Sequence, residues 1–365
     1  MKRSVFGIVA VCGMVALVIG VGRPSGAEEK RSKRQPVPRA EKIHGMTVSC
    51  PTNGREWGTD DMVKTMRELK ALGVEWVSIH PYAQIRRDGS LVPYYGRRNG
   101  GKVPTYVTRP IREAHALGMK LMMKPHISYW GSFDWRGAIR FESEEQWQRF
   151  FADYERWIND LAEACRDADA FVVGTELEGT THREKEWRKI VAGVRSRYPG
   201  PLTYASNWSE VHLVPFWDAV DVVGVQAYYP VIDGRADAAG SEALDDAVFR
   251  DGWQRILGRV RALSQKTGKN VVFTELGYDC ALIAPFEPWR ADANVRRSSP
   301  DHARAERRQR ACLDAALTAI ENEPTVHGAF LWKWFPGRRQ PRDFNKQSEA
   351  MRKVIRDRWN GQKVR

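Results

Sequence analysis

Two stretches of this chain carry nearly the same words, Val172-Val173-Gly174-Thr175-Glu176-Leu177 and Val271-Val272-Phe273-Thr274-Glu275-Leu276. Each is a short β-branched, apolar run of the kind that forms a strand buried on both faces, as in a parallel sheet. Each stops at an acid. A carboxylate at the end of a buried strand is costly unless it is paired or put to use, so the repeat marks two strand ends where chemistry is to be sought.

Working outward, the same kind of run recurs along the chain: Ile43 to Ser49, Trp76 to His80, Lys120 to Pro125, Ala170 to Thr175, Leu202 to Ser206, Val220 to Gln226, Asn270 to Thr274 and Gly328 to Trp332. Amphipathic stretches separate them, predicting helices over Thr59 to Leu72, Thr108 to Leu117, Glu144 to Cys165, Glu184 to Tyr198, Asp251 to Gln265, Asp301 to Glu321 and Asn345 to Trp359. The clearest has Trp147, Phe150, Phe151, Tyr154, Trp157, Ile158 and Leu161 at three- and four-residue steps, a core stripe and not a sugar platform. Eight strand-helix repeats in about 320 residues predict a single α/β domain closed as a (β/α)8 TIM barrel. No Gly-x-Gly-x-x-Gly follows the first strand to suggest a dinucleotide fold.

In such a barrel the active site gathers at the strand C-termini. Those positions read Ser49-Cys50, His80-Pro81-Tyr82, Lys124-Pro125-His126, Glu176, Asn207-Trp208, Gln226-Ala227-Tyr228-Tyr229, Glu275 and Trp332-Lys333-Trp334. Taken singly, His80 or His126 also fits a core histidine and Trp208 a barrel cap; together the residues form a polar and aromatic ring. Glu176 and Glu275 end the fourth and seventh strands, across the mouth from one another. Two carboxylates so placed suit glycosidic bond cleavage, one protonating the leaving oxygen while the other attacks the anomeric carbon or activates water. Only two histidines stand at strand ends, too few for a metal-dependent hydrolase.

With these residues the chain resembles the clan A glycoside hydrolases, and most closely the family 113 β-mannanases, from Ile43 to about Trp359. The resemblance implies a retaining double displacement, an acid/base glutamate after the fourth strand, matched by Glu176, and a nucleophile after the seventh, matched by Glu275. It also implies that Tyr228 hydrogen-bonds the nucleophile and that Trp332 floors the sugar site. The wider clan has Asn before the acid/base, contacting the sugar 2-hydroxyl; here that residue is Thr175, and Asn207, Lys124 and His126 are the alternative candidates. Glu178, two residues beyond Glu176, is the competing acid. His80, Trp208 and Trp130 complete the expected substrate-binding set, with Tyr94, Tyr95, Trp135 and Trp289 as further aromatics in the loops.

At the N-terminus, Lys2 and Arg3 precede an uncharged run to Gly22 and a small-residue ending at Ser25-Gly26-Ala27, which predicts a signal peptide over residues 1–27 and export to the periplasm or beyond. The glycines and the Ser-x-Ala ending disfavour the alternative of an uncleaved anchor. A flexible basic leader is expected over residues 28–42 and the catalytic domain over residues 43–360. The four cysteines left after cleavage, Cys50, Cys165, Cys280 and Cys312, form no CxxC or Cys/His cluster, so disulfides or buried free thiols are expected and zinc is not.

The net charge of +13 is spread over helices and loops with no nucleic-acid motif. Arg86, Arg87, Arg97, Arg98, Lys102, Arg290, Arg296, Arg297, Arg338, Arg339 and Arg342 rim the mouth, either as a solvated edge or as a selector of acidic or sulfated glycans. The expected partner is a polysaccharide or oligosaccharide substrate, with no cofactor, metal or nucleic acid and, after signal cleavage, no membrane. A non-catalytic carbohydrate-binding barrel is the alternative from another class; the retention of both acids argues against it.

Overall fold

The computed structural model describes residues 41–95, 102–234, 244–291, 293–337 and 343–360. The expected signal peptide, most of the leader, and Arg97, Arg98, Arg338, Arg339 and Arg342 lie outside the described residues. The elements run β1 (Ile43–Val48), α1 (Asp60–Ala71), β2 (Trp76–Ile79), β3 (Tyr82–Ile85), β4 (Leu91–Pro93), α2 (Thr105–Ala116), β5 (Lys120–Met123), β6 (His126–Ser128), α3 (Glu144–Ala164), β7 (Ala170–Thr175), α4 (Glu184–Arg195), β8 (Leu202–Asn207), β9 (Val223–Gln226), α5 (Asp246–Thr267), β10 (Val271–Leu276), α6 (His302–Asn322), β11 (Val326–Trp334) and α7 (Glu349–Trp359).

Strands β1, β2, β5, β7, β8, β9, β10 and β11 pair in that order and close into a barrel, β11 returning to β1 in parallel. The fold is the expected (β/α)8 barrel. Its interior is packed, with Met122, Val172, Ala205, Val272 and Phe330 forming one cluster. Gly45 makes room for it: a Cβ there would stand 2.5 Å from the Phe330 ring. Outside the barrel, α3 is started by a capping box of Ser143 and Gln146 and buries the expected aromatic stripe. Its Tyr154 hydroxyl donates to the Val173 carbonyl at 2.8 Å, tying the helix to the strand that presents Glu176.

Three features depart from the sequence expectations. The stretch after Ile79, read as loop, resumes as a three-stranded satellite sheet in the order β4-β3-β6. Pro81 and Pro125 explain the break: proline has no N–H to continue the barrel ladder, and the two chains re-pair beyond it, with His126 N donating to Pro81 O at 2.9 Å. Secondly, the sequence reads as eight strand-helix repeats, but the fifth unit, for which it predicts no helix range, has no α-helix; two 3-10 turns, Val211–Leu213 and Trp217–Ala219, connect β8 to β9. Pro215 sits between them and disfavours helical geometry in the residue before it. Thirdly, α5 starts earlier than expected, capped by Asp245, and α7 later, capped by Ser348. The four cysteines of the described chain are all free thiols, so the disulfide alternative falls.

Candidate active site

Both acids are aimed by local irregularities of their strands. Along β7, Val172 pairs with Thr203 but Thr175 with Ala205, so β7 carries one extra residue relative to β8. Along β10, Phe273 pairs with Val225 and Glu275 with Gln226, again one extra residue. Such bulges re-aim side chains at a barrel rim. Glu176 then leaves its strand in the left-handed region, at φ 52°, which is uncommon for a residue with a Cβ.

Glu275 is buried and held from several sides. Tyr228 donates its phenol to Oε2 at 2.6 Å. Lys124, fully buried, donates Nζ to Oε1 and, at 3.0 Å, to the Thr274 carbonyl. His126 Nε2 stands 3.5 Å from Oε1. Burial, joined by the negative charge of Glu275, pushes the Tyr228 phenol well above its ordinary range, so it stays a proton donor to the carboxylate. Burial lowers Lys124 from the usual lysine range, against the pull of Glu275. His126 is driven well below the usual histidine range by burial and by Arg136 and Lys124 nearby. It is therefore neutral, and since Arg136 Nη1 donates to its Nδ1 at 3.0 Å, its proton sits on Nε2, toward Glu275.

Glu176 is more open, its side chain 17% exposed, and its close charged partner is Arg136, with Nη1 3.3 Å from Oε2. Burial raises its carboxyl above the ordinary range, Arg136 pulls it back, and the charge on Glu275 raises it again; the net direction is upward. The side-chain amide of Gln226 also moderates the rise. The two acids thus sit in unequal settings joined through Arg136 and His126.

Arg136 belongs to a 3-10 turn, Arg136–Ala138, that rests on the turn Glu178–Thr180 following the acid. The contact requires a glycine: a Cβ on Gly179 would lie 2.7 Å from Gly137 O and closer still to Ile139 O. Arg140 donates to the Gly179 carbonyl and completes the joint. Gly179→Ala is expected to push this turn away, costing about 1–3 kcal/mol of stability and lowering turnover through the displaced Arg136. A thermal melt measured beside kcat checks this; a lowered Tm with unchanged kcat would remove Arg136 from the reaction.

The remaining expected residues are placed as follows. Trp332 is half-buried, its ring stacked on His126 at 5.9 Å between centroids and flanked by Lys124 and Lys333 Nζ at 5.1 and 5.0 Å. His80 is buried among Trp57, Tyr82, Trp332 and His126, with neither ring nitrogen hydrogen-bonded. Asn207 turns its side-chain oxygen to Ser209, whose hydroxyl lies at 3.3 Å. Thr175 donates its hydroxyl to Pro125 O at 3.0 Å and is buried, so it is committed to the sheet. Trp208 stacks with Trp289, itself 47% exposed, at 6.1 Å, while Trp130, 58% exposed, lies by Tyr82 and Tyr129.

Sequence reading missed Arg136, which lies in a loop between Trp135 and Gly137 with no periodicity to single it out. It also missed the part played by Gln226, whose only signal was its place at a strand end. Glu178 is half-buried, with Oε1 accepting from Asn207 N at 2.6 Å and Oε2 unpaired. Burial and the charge of Glu176 push its carboxyl up to about 7. Among the described residues, no group of three or more His, Cys, Asp or Glu side chains is placed to hold a metal ion.

An eight-stranded parallel barrel with two acids at the ends of its fourth and seventh strands defines a glycoside hydrolase. The chain belongs to Glycoside Hydrolase Family 113, whose sequence profile matches residues 46–351. Among solved structures it is similar to the GH113 β-mannanase AaManA from Alicyclobacillus acidocaldarius in complex with ManMIm, at 25% identity and TM-score 0.71, over 88% of this chain and 98% of that one. A GH113 β-1,4-mannanase complex matches at 21% identity and TM-score 0.73, over 88% and 99%. The β-glucuronidase of Ruminococcus gnavus shares the fold at 14% identity and TM-score 0.57, over 87% of this chain and 50% of that one. No curated relative matches the sequence.

Proposed function

We propose that this glycoside hydrolase cleaves β-1,4-linked mannan with retention of configuration, Glu176 serving as acid/base and Glu275 as nucleophile. The observation that carries the reading is the contrast between the two carboxylates. Glu275 accepts hydrogen bonds from Tyr228 and Lys124, which fix its aim at the space between the two acids. Glu176 is shifted toward the protonated form by burial and by the charge of Glu275. In the first step Glu275 attacks the anomeric carbon while Glu176 protonates the departing oxygen; in the second, Glu176 takes a proton from water, which releases the sugar from Glu275. The Trp332 ring supplies a flat apolar face for the sugar between them.

The choice of mannan rests on the family and on the substrates named for its similar structures. The test is digestion of β-mannan, glucomannan, galactan, xylan, β-glucan and charged polysaccharides, followed by proton NMR of the fresh products. Mannan oligosaccharides with the β-anomer first are expected. Initial release of the α-anomer would overturn retention, and cleavage confined to another glycan would overturn the specificity.

A further inference from the structure

Behind the tyrosine that holds Glu275 lies a second, buried device. Phe344 is buried in the segment after β11 and has a left-handed backbone, φ 53°. An aromatic residue rarely adopts this conformation unless its surroundings enforce it. Here three hydrogen bonds from separate groups do so. Its N–H donates to Asp279 Oδ1 at 2.9 Å, and its carbonyl accepts from Lys333 N at 3.0 Å and from Lys346 Nζ at 2.9 Å. Asp279 follows the nucleophile strand and is itself fixed by Asn294 Nδ2 at 2.7 Å and Cys280 N at 2.9 Å. Lys346 is fully buried and also donates to Tyr278 O at 2.8 Å. The ring of Phe344 meets Tyr228 edge-on, with centroids 5.8 Å apart.

We propose that Phe344, locked by Asp279 and Lys346, is a positioning residue that sets the Tyr228 phenol on Glu275 and thereby tunes the nucleophile. Two buried charged side chains spent on the backbone of one residue outside the barrel are hard to assign to packing alone, since a buried charge is costly unless its hydrogen bonds are used. Burial also brings the Lys346 ammonium down to about 7, with Asp279, Cys280 and Asp343 opposing and Lys333 assisting. Gly277 completes the fit, because a Cβ there would press on the Phe344 ring at 3.2 Å and on Trp332 O at 2.8 Å.

The inference rests on Glu275 being the nucleophile, and its test separates the two. Phe344→Leu and Lys346→Met are measured alone and in a Tyr228→Phe background, on the substrate the wild type cleaves best. Each is expected to lower kcat about ten- to hundredfold with KM little changed, and to add less than about twofold once Tyr228 is phenylalanine. Lys346→Arg is expected to restore part of the loss. A second readout needs no turnover: with tyrosine labelled at 13Cζ, the resonance that Tyr228→Phe removes should shift in both variants. Losses that multiply fully with Tyr228→Phe, or a resonance that stays in place in the folded variants, overturn the proposal. A wild type that cleaves no glycan, with the resonance shifting as expected, overturns the functional reading and leaves standing only the placement of the Tyr228 phenol by Phe344.

Discussion

Glu275→Ala is expected to lose turnover by a factor on the order of 10⁵, and azide is expected to return part of it as an α-mannosyl azide. The substitution removes the attacking oxygen but leaves Lys124 buried with its cationic Nζ and Tyr228 with an unaccepted proton. A buried cation without its partner is strongly unfavourable, so the vacated space is an anion site of the right charge. Azide placed there attacks from the side the carboxylate used, inverting the β-linkage to α. In Glu176→Ala, azide enters instead after the glycosyl-enzyme has formed, on the opposite side, and gives the β-azide. Product NMR distinguishes the two; β-azide from Glu275→Ala would exchange the assigned roles.

Glu176→Gln is expected to lower mannan hydrolysis by a factor on the order of 10³ while sparing the first step on aryl mannosides whose leaving group departs without a proton. The same variant should reshape the pH profile. Burial raises the Glu176 carboxyl above the ordinary range, so its acid form persists to higher pH than an exposed glutamic acid would, and activity falls as pH rises through that elevated value. This alkaline limb should vanish in Glu176→Gln. Glu178, pushed up to about 7, is a second carboxyl beside the site able to produce such a limb, so Glu178→Gln is the control. A limb that disappears in Glu178→Gln and survives in Glu176→Gln would move the acid role by two residues.

The sequence carried the barrel because its strands are short apolar runs whose identity depends only on neighbouring residues. The two acids were legible for a related reason: the Val-Val-x-Thr-Glu-Leu words announce both a strand and its end. What stayed hidden depends on contacts distant in sequence. Strands β3 and β6 are too brief to read alone and make sense only once Tyr82 pairs with His126. Arg136 reaches Glu176 because Gly179 lets two turns touch, a property of neither stretch by itself. Lys124 and His80 were both legible as strand-end residues, but only their partners divide them, the first bonded to Glu275 and the second set against the Trp332 ring.

The extra residue that each acid-bearing strand carries relative to its neighbour has a consequence for how this enzyme can drift. Pairing resumes beyond each bulge, so losing one residue from β7 or β10 would let the barrel close while rotating the acid by one step, out of the mouth. The catalyst is in this sense indexed by counting as well as by identity. Shortening by a single position is the change the fold can survive and the chemistry cannot.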